Sequence, residues 1–472
     1  MTPTPYLVAG KETSRGEIRT IPSPWLECPS GSVYIADEAA RESALSAAEE
    51  SRVELAATSR HERGRVLEAI ANGIETHRAQ FLELLIHEVG KTHKDAVSEI
   101  GRSISTFRFA ADAARALVGK MLALDAMAGA ENKFGYTIVE PIGTVVAIPA
   151  ANFPLLISSH KIAPAIGAGC PIVMKAPEVT PRTLLLLATI VIDSGWPPAG
   201  LSVLTGDRDL GEALVKDRRP RLVSFTGSSP VGKQIAAAAG FKRLILELGS
   251  NAATIVMNSA DLELAATRIV AGGYSNAGQS CISVQRVYAQ RGIYEELAAR
   301  VAALTSALTT GSPEDQATDV GPVISDTSAE RIESVISDAV SHGARLLAGG
   351  DRHGRRFAPT LLGEITTEMR FHREEVFGPV VGLATFDTLD EAIELLNDSE
   401  YGLQAGVFTD SATEAHRVAK SAAVGGVHIN EVSMWRADHM PYGGVKDTGF
   451  GKEGPESAMH EMSVEKVVSW RL

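Results

Sequence analysis

From Gly143 onward, short apolar runs alternate with longer helical stretches, and this alternation constrains the fold more than any other feature. GTVVAIPA reads as a strand stopped by Pro149, NFPLLISSHKIAPAIGAG as a helix ending at Gly169, and CPIVMKAP as the next buried strand. TPRTLLLLATIVIDSG (helix), LSVLTG (strand), GEALVKD (short helix), RLVSFTG (strand) and SPVGKQIAAAAG (helix) continue the series. Such a succession predicts a parallel sheet with helices on both faces. A second series starts near Ala252 with AATIVM and DLELAATRIVAGGYSNAG. It runs through RVYAQ, YEELAARVAALTSAL, AERIESVISDAVSHG, VVGLATF and LDEAIELLN to GGVHIN. The expected class is α/β with two successive parallel-sheet domains. Ahead of them, Glu38 to Val118 is rich in Ala, Glu, Arg and Leu with helical periodicity, and KFGYTIVEP then reads as a strand. The terminal SVEKVVSW alternates like an edge strand, suited to pairing with a neighbour's sheet.

Length agrees with this division, because 472 residues exceed what one hydrophobic core holds. A formal net charge of -13 argues against nucleic-acid binding, which needs a clustered positive surface. The N-terminal MTPTPYLVAGKETSRGE lacks the basic and apolar regions of a secretory signal. The charge-free stretch Pro141 to Ser159 contains Gly143, Pro149, Asn152 and Pro154, which suit a buried strand and turn rather than a membrane helix. Three cysteines, Cys28, Cys170 and Cys281, fit neither a disulfide framework nor a metal site, and a reducing cytoplasm is the expected compartment.

Three residues carry the chemical reading. Cys281, in SNAGQSCISVQR, is open to two interpretations: a buried structural thiol, or a nucleophile whose small neighbours Ala277, Gly278 and Ser280 let a substrate approach. Glu247, in RLILELGSN, ends an apolar run; it reads as a capping or surface carboxylate, or as a general base raised in pKa by burial. Asn152, in IPAANFP, lies between a strand and a helix. It reads equally as an N-cap or as an oxyanion donor acting with the Cys281 N–H. No GxGxxG is present, but FTGSSPVG places Gly227 and Gly232 around a strand-to-helix turn that suits a pyrophosphate, or simply a turn.

Taken in order, Asn152, Lys175, FTGS, Glu247, Cys281, EEVFGPV and PYGGVKDTGFGKEG resemble the aldehyde dehydrogenase superfamily over nearly the whole chain. The resemblance implies a dinucleotide-binding domain (residues 1–119 and 139–248), a catalytic domain (249–430) and a small β-hairpin oligomerisation extension (120–138 and 455–472). It implies a homodimer or homotetramer and a free-acid product. Cys281 would form a thiohemiacetal and then a thioester, Asn152 would hold the oxyanion, and Glu247 would activate the hydrolytic water. Lys175 and Glu178 would hold the adenosine ribose and Ser228 the pyrophosphate. Glu375 would hold the nicotinamide ribose with Phe377 beside the nicotinamide, and Gly206, Phe225 and Gly227 complete the cofactor set. The carboxylate of Glu178 favours NAD, with NADP second. Two departures stand out: Ser250 replaces a glycine in ELGS, and Cys170 an asparagine.

The same resemblance maps the substrate funnel to Arg102, Phe153, Leu156, Ile157, His160, Ser280, Ile282, Arg436 and Tyr442. Two arginines in a pocket are costly to bury without an anion, and guanidinium matches carboxylate, phosphate or sulfonate. The positions of Arg102 and Arg436 resemble those of the branch acting on glyceraldehyde 3-phosphate, lactaldehyde and phosphonoacetaldehyde. Ser280 and Phe153 depart from its anion-binding pattern, and Glu99 and Asp438 are alternative partners for the arginines. A short polar aldehyde, anionic before neutral, is the expected substrate, with a CoA-acylating enzyme as the rival.

Overall fold

The computed structural model describes residues 2–472. Its first sheet has eight strands in the spatial order Lys11–Thr13, Tyr6–Val8, Leu201–Leu204, Ile172–Lys175, Val145–Ile148, Leu222–Thr226, Arg243–Glu247 and Gly449–Phe450. The five strands between Leu201–Leu204 and Arg243–Glu247 are parallel, and the flanking ones antiparallel. These five are the runs read from the sequence. The antiparallel edges were not, because three-residue strands with little apolar alternation leave too short a pattern.

Chain order along the parallel strands reverses between Val145–Ile148 and Leu222–Thr226, where the connections leave in opposite directions. Open α/β sheets bind ligands outside the carboxyl ends of their strands at such a switch point. Asn152 follows the first of these strands and Gly227 and Ser228 the second.

The N-terminal helices Glu38–Ala57, Arg60–Thr76 and His93–Ala116 share one core with this sheet, through Leu45, Leu67, Ile70, Ile100 and Phe107 among others. The second sheet has seven strands and its own core. Its order is Arg345–Ala348, Thr360–Gly363, Val380–Phe386, Arg286–Gln290, Ala253–Val256, Gln404–Phe408 and Gly426–Ile429, with only the first antiparallel. A third, antiparallel sheet joins Met121–Leu122, Lys133–Pro141 and the terminal Ser463–Arg471, which lies at its edge. Helix Pro455–Glu461, which leads into the terminal strand, buries Ala458 and Met459, and Met459 packs against Gly167. No helix of the described residues is long and apolar enough to cross a membrane.

Candidate active site

A cleft of about 630 Å³ opens between the two large sheets, at the switch point. Asn152, Glu247, Cys281, Gly227, Ser228, Glu375 and Phe377 line it, as do Arg102, Phe153, His160, Ser280, Ile282, Arg436 and Tyr442. Residues as far apart in the sequence as Arg102 and Arg436 thus meet in one cavity. Lys175, Glu178, Gly206 and Phe225 do not line it. Lys175 ends the strand Ile172–Lys175, and its ammonium pairs with the half-exposed Glu178 at 3.3 Å. Gly206 and Phe225 have packing roles: a Cβ at Gly206 would meet Leu210, and the Phe225 ring sits against Gly227.

Cys281 follows a turn that the sequence does not announce. Helix Leu262–Tyr274 ends, and Asn276 and Ala277 take left-handed φ of 52° and 53°. Such φ values are strained for side-chain-bearing residues and persist where the surroundings over-determine them. Asp95 supplies part of that restraint, accepting from the Asn276 N–H and the Ser275 hydroxyl. Lys91 supplies more, its ammonium 2.9 Å from the Asn276 side-chain oxygen. Burial pushes the Cys281 thiol up to about 12, and a hydrogen bond with Tyr442 opposes this.

Asn152 is not the N-cap; that position falls to Phe153, with no side-chain cap bond. The first turn of helix Pro154–Ala168 is capped from outside by Glu99, which accepts from the Leu155 and Leu156 N–H groups at 2.9 and 3.0 Å. Asn152 is thereby freed for the cavity. One N–H of its amide donates to the Gln279 carbonyl at 3.0 Å, fixing the side chain beside the Cys281 loop.

Glu247 is neither a cap nor a surface group. It is 2% exposed, and both carboxyl oxygens lack a hydrogen-bond partner. Burial, then the neighbouring Glu453 carboxylate, raises its pKa well above the usual carboxylate range. Behind it, Lys161 donates to Glu453 at 3.2 Å and to the Ser224 hydroxyl at 3.0 Å, all buried. Lys161 and Glu453 escaped the sequence reading. Lys161 did leave a signal: it is the one ammonium in the helix PLLISSHKIAPAIGA, whose other polar side chains are Ser158, Ser159 and His160, and a buried ammonium needs a partner.

The two funnel arginines differ. Arg102 donates through Nε and Nη2 to Asp438, at 2.9 and 2.8 Å, so its charge is already matched. The Arg436 side chain is 7% exposed, and its Nε and Nη2 are buried without partners. Its guanidinium stacks 3.8 Å over the Tyr442 ring, and its nearest carboxylate, Glu453, is 3.9 Å away. His160 is buried beside these cations, and burial, then Arg436, pulls its pKa well below the usual value, so it is neutral at pH 7.

The residues present fit a nicotinamide dinucleotide. Helix Ser229–Ala238 points its N-terminus into the cleft, and Ser228 leaves the first N–H groups without a side-chain cap. Glu375, pushed up to about 7 by burial, accepts from the Ser250 N–H at 2.9 Å and faces the same cleft. The turn carrying it, with Phe377 at φ 49°, is held by Arg331, which donates to the Glu375 and Val376 carbonyls.

The model of the aldehyde dehydrogenase family matches residues 11–468. The chain belongs to that family. It is an oxidoreductase. It is 41% identical over 413 residues to a 3-sulfolactaldehyde dehydrogenase of Priestia aryabhattai, covering 87% of each chain. Among solved structures it is similar to aldehyde dehydrogenase 21 of Physcomitrella patens in complex with the reaction product succinate. That match has TM-score 0.97 and 34% identity, covering 100% of this chain and 99% of the other. An NADP-dependent glyceraldehyde-3-phosphate dehydrogenase of Bacillus halodurans complexed with NADP gives TM-score 0.96 and 34% identity, with 100% of both chains covered.

Proposed function

We propose that this enzyme oxidises a short aldehyde with an anionic head group to the free carboxylic acid, using NAD in preference to NADP. The observation that carries the substrate class is Arg436, a buried guanidinium with unpaired donors in the cavity of Cys281. Burial favours the protonated form of Glu247, and in that form Arg436 and Lys161 face the single carboxylate of Glu453. The surplus positive charge favours an anion over a neutral aldehyde. Relatives of the family named for sulfolactaldehyde and for a succinate product support the same chemistry.

The placement of the groups supports the following reaction. The Cys281 sulfur attacks the carbonyl carbon, and the oxygen takes up the electron pair beside the Asn152 amide and the Cys281 N–H. Bound NAD supplies the two-electron oxidant for the step from thiohemiacetal to thioester. Glu247 then takes a proton from water, which attacks the thioester; the C–S bond breaks and the acid leaves. The sulfur takes the electron pair of the broken bond, and the proton stays on the Glu247 carboxyl until solvent removes it. Ser228 and the helix behind it would hold the pyrophosphate, Glu375 the nicotinamide ribose with Phe377 beside it, and Lys175 with Glu178 the adenosine ribose. The Glu178 carboxylate disfavours a 2′-phosphate there. Glu247 sets this reading apart from a CoA-acylating enzyme, which has no need of a hydrolytic base.

The deciding experiment measures kcat/KM with NAD for sulfonated, carboxylated and phosphorylated short aldehydes, for lactaldehyde and for propanal, with and without CoA. Expected is a clear preference for one anionic aldehyde without CoA. A preference for lactaldehyde or propanal refutes the anion reading, and an absolute need for CoA refutes the hydrolytic one.

A further inference from the structure

Tyr442 entered the sequence reading only as part of the funnel wall. In the structure its phenolic oxygen lies 3.1 Å from the Cys281 sulfur. The ring is 4% exposed and packs in a small apolar cluster with Ile282 and Leu403. Its backbone is pinned by a reciprocal pair of hydrogen bonds with Glu453, at 3.0 and 2.7 Å. A phenylalanine would fill that cluster equally well, and a buried hydroxyl costs free energy unless it is bonded. Among the described residues the Cys281 sulfur is the one hydrogen-bond partner of the Tyr442 hydroxyl. The Arg436 guanidinium on the ring face strengthens the phenol as a donor.

We infer that Tyr442 is a catalytic residue of the acylation step: its O–H donates to the Cys281 sulfur and stabilises the attacking thiolate. The inference rests on the proposed role of Cys281 as nucleophile. The phenol keeps its proton throughout. The thiol proton leaves to water, and the new S–C bond forms as the carbonyl electron pair moves to oxygen. Around the sulfur, burial, Glu375 and Glu247 disfavour the thiolate, while Tyr442 and Arg436 favour it. His160, Arg102 and Glu453 line the same cavity, and the Cys281 sulfur is hydrogen-bonded to Tyr442 rather than to any of them. Burial and the sulfur hold the phenol well above its ordinary pKa, so it stays a donor over the working range.

The test is the pH profile of iodoacetamide alkylation of Cys281 in the full-length enzyme, read by peptide mass spectrometry so that Cys28 and Cys170 are counted separately. In Tyr442→Phe the midpoint is expected to move up by about one to two pH units, which is a roughly tenfold to hundredfold slower alkylation below the midpoint. The kcat is expected to fall with little change in KM. Arg436→Gln leaves the phenol in place and is expected to move the midpoint the same way by less, which keeps a measurement available should the first variant not fold. An unchanged midpoint in either folded variant overturns the inference while leaving the nucleophile reading intact. Retained turnover in Cys281→Ala overturns both.

Discussion

Arg436 brings a permanent charge into a cavity and spends none of its Nε or Nη2 donors on the protein. Removing such a charge costs the protein little and the bound anion a great deal. Arg436→Leu is therefore expected to raise KM for the best anionic aldehyde about tenfold to a hundredfold, the worth of a charge-assisted hydrogen bond of ~1.5–3 kcal/mol. KM for propanal should barely move, and equal effects on both would remove the anion site. Glu247 makes a second prediction at this scale. Burial, then Glu453, raises its pKa, so at acid pH it is protonated and cannot accept from water; deacylation should climb with pH from the acid side, with its midpoint above the usual carboxylate range. Glu247→Gln should give one burst of reduced cofactor per site and then little turnover, with the ascending limb gone, as stopped-flow absorbance would record.

Helix Pro154–Ala168 shows how an element is set by something outside it. Its own sequence starts without a side-chain cap, and Glu99 from helix His93–Ala116 caps it instead. The same carboxylate pairs with Lys91 at 3.2 Å, both side chains 0% exposed, and Lys91 also lies 3.5 Å over the Phe153 ring. Glu99→Ala is expected to destabilise the fold by about 3–5 kcal/mol, because it leaves a buried cation unpaired and two N–H groups uncapped. Pairing it with Lys91→Met should recover much of that loss, as a denaturant titration of the two variants would check. Failure of the double variant to recover stability would mean that the cap, not the stranded charge, dominates.

At the scale of the molecule, the terminal strand Ser463–Arg471 pairs on one side only, with Lys133–Pro141, and leaves Val464, Val467 and Trp470 exposed. An unpaired edge with apolar side chains is a surface that chains cover, or else aggregate through. We propose that a second copy covers it, in a dimer or tetramer. Light scattering is then expected to give at least twice the chain mass for the wild type, and the chain mass for a variant with Val467→Glu and Trp470→Glu. A wild type that runs as a single chain would refute the assembly.

The sequence by itself determined the two parallel sheets, since strand–helix alternation leaves few other packings, and it ordered Asn152, Glu247 and Cys281 along the chain. It left each of the three with a structural alternative, because whether a group is buried, capped or paired depends on residues far from it in the chain. Only the tertiary structure separated Arg102, matched by Asp438, from Arg436, which is not, and only it set Lys161 and Glu453 behind Glu247. Local pattern reports what a residue's neighbours in the chain prefer. The charge balance of a cavity is fixed by neighbours in space.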